Sequence, residues 1–242
     1  MATTLWSVVF DSPRPEALAD WWAAALGWSV VPPTEYDAEV VCRHDPGVPR
    51  LGFERVPDLK VVKNRIHLDL ASASTAEQTA TVDRLHGMGA TLLEAWSTDV
   101  PWGVLADVEG NEFCVLEPRD RYTGLGSLAA IVVDVADPGR LGDFYAAATG
   151  WVVGERGGGV VSLSRPGGRP PDLDLVQVSD VKLVKNRVHL DVAPCDDADA
   201  DAEAIRLRSL GALDVDVGQP PSGSWRVLAD VEGNEFCVLS PR

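Results

Sequence analysis

The sequence predicts an α+β fold of four βαβββ modules, arranged as two tandem domains of two modules each. Two observations predict it: the chain repeats itself once, and each repeat holds a strand, a helix and three short strands twice over. We expect each domain to form a curled, mostly antiparallel sheet. Its helices would cover one face and leave an open cup on the other.

The repeat is clearest near the end of each half. GVLADVEGNEFCVL at 103–116 returns as RVLADVEGNEFCVL at 226–239, identical at 13 of 14 positions. The polar, Gly-containing stretch PRDRYTGLGS reads as a linker between the halves. We therefore place one domain at 1–120 and the other at 125–242.

The elements of the first domain follow from local signals. A helix is predicted from Pro15 to Gly27, with proline in its first turn and glycine at its end. A second helix begins after Ser74, which forms a capping box with Glu77, and ends near residue 87. Short apolar or alternating runs predict the strands, near 5–10, 28–31, 39–43, 50–56, 64–70, 91–95, 102–106 and 111–116.

Composition excludes several classes of function. The 242 residues carry a net charge of −16, which argues against nucleic acid and anionic membrane surfaces as partners. No apolar run approaches the roughly 18 residues needed to cross a bilayer. The N-terminus shows no secretory signal and the four cysteines form no C-x-x-C pair, so we expect reduced thiols and a cytoplasmic location.

One strand sequence with many polar residues occurs twice, as VVKNRIHLDL at 61–70 and LVKNRVHLDV at 183–192. Strand side chains alternate, so Ile66 and Leu68 should face the helices. The polar members should face the cup as a floor for an anionic or hydrogen-bonding ligand. They are Arg65, His67 and Asp69, and Arg187, His189 and Asp191. The alternative is that Arg65 and Asp69 pair and merely hold the modules together.

Four more residues complete the predicted ligand-binding set. They are Cys114 and Cys237 on the last strands, and Trp102 and Trp225 at the strands before them. The tryptophans could stack on a planar ligand or simply pack, and the thiols could be inert. His67 and His189 are the candidates for acid–base catalysis, since a neighbouring carboxylate would orient each ring.

The paired βαβββ modules, the WW…LGW helix end and the DVEGNEF hairpin resemble the vicinal oxygen chelate superfamily. This group includes glyoxalase I, extradiol dioxygenases, fosfomycin-resistance enzymes and bleomycin-resistance proteins. KNRxHLDL and GNEFCVL resemble its glyoxalase-like domain type most closely. The resemblance covers nearly the whole chain, twice.

Metal-dependent members of that superfamily hold an ion with four cup-face ligands, usually His, Glu or Gln. The resemblance places these positions at Trp6 or Ser7, Gly52, Arg65 and Cys114, and at Ala129 or Ala130, Asp174, Arg187 and Cys237. An arginine has no free lone pair for a cation. We therefore expect no metal and no other cofactor, while a zinc site built from His67, Asp69 and Cys114 stays open.

The resemblance then implies a metal-free protein of the bleomycin-resistance type, which sequesters a planar or charged small molecule. The alternative is a lyase, isomerase or epimerase, with His67 or His189 as the acid–base group and Arg65 or Arg187 holding an oxyanion. In a third hypothesis one half is a degenerate scaffold. We expect a monomer with internal pseudo-two-fold symmetry, and leave a further homodimer open.

Overall fold

The chain folds into four modules of one helix and four strands each. The computed structural model describes residues 3–32, 37–94, 100–195, 199–218 and 225–240. Module 1 consists of β1 (Thr3–Ser12), α1 (Pro15–Leu26), β2 (Ser29–Val31), β3 (Asp37–Val41) and β4 (Arg50–Arg55). Module 2 consists of β5 (Ile66–Leu70), α2 (Thr75–Gly87), β6 (Thr91–Glu94), β7 (Gly103–Ala106) and β8 (Glu112–Val115). Module 3 consists of β9 (Leu128–Val135), α3 (Pro138–Thr149), β10 (Val152–Gly157), β11 (Val160–Ser164) and β12 (Asp172–Gln177). Module 4 consists of β13 (Val188–Pro194), α4 (Ala200–Ser209), β14 (Leu213–Asp214), β15 (Trp225–Ala229) and β16 (Glu235–Leu239).

Two eight-stranded sheets are formed, and each combines modules from both halves of the chain. The first runs β14-β15-β16-β13-β1-β4-β3-β2, and the second β10-β11-β12-β9-β5-β8-β7-β6. Modules 1 and 4 meet where β1 pairs antiparallel with β13, and modules 2 and 3 where β5 pairs antiparallel with β9. We call the sheet face opposite the helices cup A in the sheet of modules 1 and 4, and cup B in the sheet of modules 2 and 3.

The predicted α+β fold is confirmed, but the sheet partner of each module was not the one expected. The sequence analysis joined modules 1 and 2 into one sheet and modules 3 and 4 into the other. Modules 2 and 4 carry nearly the same joining strand, VHLDV in one case and IHLDL in the other. Module 1 could therefore pair with either on local pattern alone, and only the tertiary structure decides between them.

The predicted helix ends are confirmed at both kinds of terminus. Gly27 ends α1 in the left-handed region, at φ 69°. Ser74 caps α2 by accepting a hydrogen bond from the backbone N–H of Glu77 at 3.1 Å. The Glu77 carboxylate accepts a hydrogen bond from the backbone N–H of Ala73 at 2.8 Å, so the reciprocal bond of the predicted capping box is made one residue before the N-cap.

The hydrophobic core lies between the helices and the sheets. Ile66, Leu68 and Phe113 are buried in it, as strand alternation predicts. Trp22 is fully buried in α1, and its indole Nε1–H donates to the carboxylate of Asp107 at 3.1 Å. Within the described part of the chain, the helices are too short or too polar to cross a bilayer.

The two repeated motifs of each half recur together because they bind each other. Lys60 forms an ion pair with Glu112 at 2.6 Å, and the Asn64 side chain donates to Asn111 Oδ1 at 3.1 Å. Asn111 in turn donates to Asp107, which anchors the turn before β8. The same network recurs in module 4, with Lys182–Glu235 at 2.7 Å and Asn186–Asn234 at 3.0 Å. The asparagines of both motifs and the glutamate of GNEF are thus structural.

Candidate metal centre

Cup B brings together a histidine, a carboxylate and a thiol. His67 and Asp69 project from β5, and Cys114 from its parallel neighbour β8, in register with Asp69. Their ligating atoms all lie within 4.8 Å of one another. His67 Nε2 stands 3.4 Å from Asp69 Oδ1.

Cup A repeats this triad with His189, Asp191 and Cys237. His189 Nε2 lies 3.5 Å from Asp191 Oδ1. The other Asp191 oxygen, Oδ2, accepts a hydrogen bond from the Ser7 hydroxyl at 2.7 Å, so a residue of module 1 completes a cluster of module 4. Each cup is therefore built by both halves of the chain.

Several polar atoms of the triads are buried without a hydrogen-bond partner among the described residues. In cup B this is Asp69 Oδ1, and in cup A it is His189 Nε2 and Asp191 Oδ1. A buried polar atom left unpaired costs roughly 1–3 kcal/mol, so atoms of this kind gathered in one cluster are suited to a bound group. The His67 side chain is 15% exposed and that of His189 only 7%, so cup B is the more open.

Burial sets the protonation of the two thiols. Burial and then the neighbouring Asp69 raise the pKa of Cys114, and burial likewise raises the pKa of Cys237. Both are neutral thiols at physiological pH without an ion, and a bound divalent cation would deprotonate them. Neither is a reactive nucleophile in this environment.

Strand register defines what faces each histidine across the cup. His67 pairs with Val132 on β9, which pairs with Asp174 on β12. Strands lie about 4.8 Å apart, so His67 and Asp174 face each other over about 10 Å. Burial raises the pKa of Asp174 to about 6, and the Ser162 hydroxyl donates to its carboxylate at 2.5 Å. In cup A the same row reads His189, Val9 and Gly52, with no side chain at its end.

The row of cross-strand neighbours that begins at the aspartate of each triad also differs between the cups. In cup B it runs from Asp69 through Ala130 to Asp172, which binds the guanidinium of Arg121 and accepts from the Tyr122 hydroxyl at 3.2 Å. Both partners lie in the linker between the halves, where the sequence showed only a polar, Gly-containing stretch. Nothing in that stretch marks them as site residues, because only the fold brings the linker over cup B.

In cup A the corresponding position is basic. Arg50 stands there, with its guanidinium 4.1 Å from the ring centre of Trp6 and 2.8 Å from Glu39. Glu54 lies on β4, two residues beyond Gly52. It is close enough to His189 and Asp191 to interact with both, and burial raises its pKa. The two cups therefore share a triad and differ in the wall opposite.

The predicted aromatic residues lie at the cups. Trp102 is half-buried and packs in a small cluster with Cys114 and Leu116. Trp225 does the same with Cys237 in the other half. Their role toward a ligand stays a prediction.

The two arginines lie elsewhere. Arg65 Nη1 donates to the backbone carbonyl of Asp180 at 3.0 Å, and Arg187 Nη1 to that of Asp58 at 2.6 Å. The resemblance to the superfamily assigns one of its metal-ligand positions to each arginine, which cannot bind a cation. The structure corrects this placement, because His67 and His189, two residues further along, are the ones that meet the cysteines. The expected loss of metal depended partly on that placement.

The residues present fit a divalent metal ion. Imidazole, carboxylate and thiolate are the ligands that zinc prefers, and each triad supplies one of each from a rigid sheet. The unpaired Oδ1 and Nε2 atoms are the positions that coordination would satisfy. With three protein ligands per cup, a fourth position is left for water or a small molecule.

Paired βαβββ modules form two open cups, and each carries a His–Asp–Cys triad. The glyoxalase-like domain model matches residues 7–116 and again residues 130–239. The chain therefore belongs to the glyoxalase-like domain family, within the vicinal oxygen chelate superfamily. None of the curated proteins compared with the chain matches it in sequence.

Solved structures resemble the chain over its whole length. Glyoxalase I from Zea mays is 13% identical, with 99% of this chain and 92% of that chain covered and a TM-score of 0.69. A proposed dioxygenase from Bacillus subtilis is also 13% identical, covers 99% and 86%, and gives a TM-score of 0.68. At this identity the likeness shows the fold alone.

Proposed function

We propose that the chain is a divalent-metal-dependent protein that binds and transforms a small oxygen-bearing molecule in cup B. The observation that carries the proposal is the convergence of His67, Asp69 and Cys114, with Asp69 Oδ1 buried and unpaired. This favours the second hypothesis from the sequence, a lyase, isomerase or epimerase. In it His67 is now a metal ligand instead of the acid–base group. The similar fold of glyoxalase I from Zea mays supports chemistry of this class.

A metal ion held by this triad would supply Lewis acidity toward a substrate oxygen. The chain's own residues do the rest. Asp174 faces His67 across the cup and is the residue we assign to proton transfer. Ser162 holds its carboxylate in place, and Tyr122 with Arg121 covers the neighbouring Asp172.

Cup A is assigned a supporting role. Its triad is more deeply buried, and Gly52 stands where cup B has Asp174. An ion bound there would meet Asp191, already held by Ser7, and the acid beside the histidine would be Glu54, since Gly52 ends the histidine row.

Cobalt titration tests the proposal, because Co²⁺ bound to a thiolate gives an intense near-ultraviolet band. We expect this band to appear with saturation in the full chain and to lose its cup B share in Cys114→Ala. Cys237→Ala is the matched control, since it removes the corresponding thiol of cup A only. A titration without any thiolate band, with both variants folded, would overturn the proposal.

A metal-free binding function is the second candidate, and one observation favours it. The neutral Cys114 thiol lies beside Asp69, which raises its pKa, and can itself donate a hydrogen bond to that carboxylate. The cluster would then be satisfied without an ion, and the half-buried Trp102 would flank a sequestered ligand. Ligand quenching of tryptophan fluorescence that persists in excess chelator would identify this function.

A further inference from the structure

A cavity separate from the two cups lies between the linkers that join the modules of each half. These linkers, 56–65 and 178–187, face each other across a space of about 620 Å³. The volume is within the range of pockets that hold small molecules, about 300–1,000 Å³. We call it the central cavity; it is lined by 58–65 and 180–187 with Asp11 and Asp134. None of the triad residues of either cup belongs to this lining.

The walls of the central cavity are aliphatic and repeat in the two halves. Each linker contributes three exposed valines or leucines at matching positions: Leu59, Val61 and Val62, and Val181, Leu183 and Val184. Val61 is 82% exposed and Leu183 85%. Aliphatic side chains this exposed favour an occupant with a hydrocarbon part that removes them from water.

The lysines of the linkers are already paired within the protein. All four ammonium groups bind acidic side chains of the strands, as Lys60–Glu112, Lys63–Asp134, Lys182–Glu235 and Lys185–Asp11. Their methylene stems therefore line the cavity while their charges are compensated, and two of the four lining aspartates are used in these pairs.

The two arginines of the lining are engaged in the same way. Arg187 forms an ion pair with Glu109 at 3.2 Å. Arg65 donates to the backbone carbonyls of Asp134 and Asp180 through its two Nη groups. The Nε atoms of both arginines are buried, so an occupant of the cavity cannot reach them. Each cation of the lining is thus engaged within the protein, which argues against an anionic occupant.

Two aspartates carry the charges of the lining that remain without a partner. Asp58 and Asp180 occupy the matching position of the two linkers, both exposed, and in the described part of the chain their carboxylates form no ion pair or hydrogen bond. Their backbone carbonyls accept hydrogen bonds from Arg187 and Arg65, which holds both aspartates at the cavity. The net charge of −16 adds to the attraction of a cation to this place.

We propose that the central cavity binds an aliphatic amine in its protonated form. Its hydrocarbon chain lies between the valines and leucines of the two linkers, and its ammonium group is directed at the carboxylate of Asp58 or Asp180. Since the internal pseudo-two-fold relates the two carboxylates, the amine can enter in either orientation. This site is separate from the cups and independent of any metal there.

Isothermal titration calorimetry of the full chain tests the site, with octylamine, octanol and octanoate compared near neutral pH in the presence of chelator. We expect one octylammonium ion per chain, bound at least about tenfold more tightly than octanol, a difference of roughly 1.4 kcal/mol or more. Octanoate should bind no better than octanol. Added salt should weaken the binding of octylamine alone, because screening acts on charge.

Asp58→Asn with Asp180→Asn removes both carboxylates at constant size. In this variant octylamine should bind about as weakly as octanol, while the affinity for octanol stays unchanged. Asp20→Asn with Asp83→Asn is the matched control, since it removes two charges from exposed positions of α1 and α2. The control should keep the preference for octylamine.

Octylamine bound no better than octanol by the native chain, tightest binding of octanoate, or full octylamine affinity in Asp58→Asn with Asp180→Asn would overturn the proposal. No binding of octylamine at all would do the same. A dimer that Val61→Ser with Leu183→Ser disperses would then identify the linkers as an interface between two copies of this chain.

Discussion

At the scale of single residues, the two cups are copies that have diverged at the wall facing the triad. The triads are chemically identical, so the difference in function we propose depends on the residues opposite them. Cup B carries Asp172 and Asp174 there, where cup A has Arg50 and Gly52, and the acid of cup A is Glu54, two residues beyond Gly52 on β4. From the sequence alone, Gly52 and Asp174 are equivalent positions of the two halves, but the sequence does not show which histidine each one faces.

A buried carboxyl outside the cups predicts a pH dependence of stability. Burial raises the pKa of Asp230 from its ordinary value of 3.8 to about 6, against the hydrogen bonds it accepts from Asn234 and Tyr145. The folded state therefore takes up a proton that the unfolded state does not hold between these pH values. Ionisation of Asp230 destabilises the fold above pH 6, and this cost is lost as the pH falls toward 4.

The size of this effect can be measured with Asp230→Asn. The change from 3.8 to about 6 corresponds to roughly 3 kcal/mol. In urea unfolding at about pH 7.5 and about pH 5, on either side of the folded pKa, the native chain should gain roughly 1.4 kcal/mol at the lower pH relative to the variant, because the rest of the effect is recovered only below pH 5. Equal pH dependence in both proteins would show that Asp230 does not titrate in this range.

At the scale of elements, the joint between each linker and its hairpin is held by one asparagine pair. Replacing Asn64 by Ala leaves Asn111 Oδ1 buried without its donor, which should cost roughly 1–3 kcal/mol in the free energy of unfolding. Asn186→Ala should cost the same, since Asn234 loses the equivalent bond. The two bonds anchor hairpins of different sheets and share no partner, so the double variant should be additive within about 0.5 kcal/mol.

The control for this pair is Thr79→Ala, which removes an exposed hydroxyl bonded only within α2 and should change stability by less than about 0.5 kcal/mol. Chemical denaturation of the four variants gives all the values. A loss for Asn64→Ala no larger than that of the control would mean that the motifs recur for another reason.

Local sequence patterns were sufficient to predict the helices and strands and to predict which strand side chains share a face of the sheet. Strand alternation placed His67 and Asp69 opposite Ile66 and Leu68, and glycine and serine marked the helix ends, because these signals depend only on neighbouring residues. The position of Arg65 could not be predicted in this way. It precedes β5, and its partner Asp180 belongs to the other half of the chain.

At the scale of the whole molecule, the duplication is used to build each sheet from both halves. Module 1 has no sheet partner within its own half, because β1 pairs with β13 and β5 with β9. A single half can satisfy both joining strands only by pairing with a second copy, in the manner of a domain swap. The fused chain achieves within one molecule what a homodimer of halves would do.

Expression of residues 1–120 alone tests this arrangement. We expect a homodimer in which β1 of one copy pairs with β5 of the other, and cooperative unfolding that depends on protein concentration. Sedimentation analysis measures the mass, with the full chain measured beside it. A folded, monomeric half would contradict the proposed need for a partner half.

The central claim is that a divalent ion belongs to the triads, and elemental analysis tests it most directly. The full chain, purified without a metal-binding tag, is measured before and after loading with zinc, nickel and manganese, beside His67→Ala and the matched variant His189→Ala. The account predicts a stoichiometric, chelator-sensitive ion whose cup B share is lost in His67→Ala and kept in His189→Ala. No bound ion under any loading would contradict it and leave metal-free binding as the function.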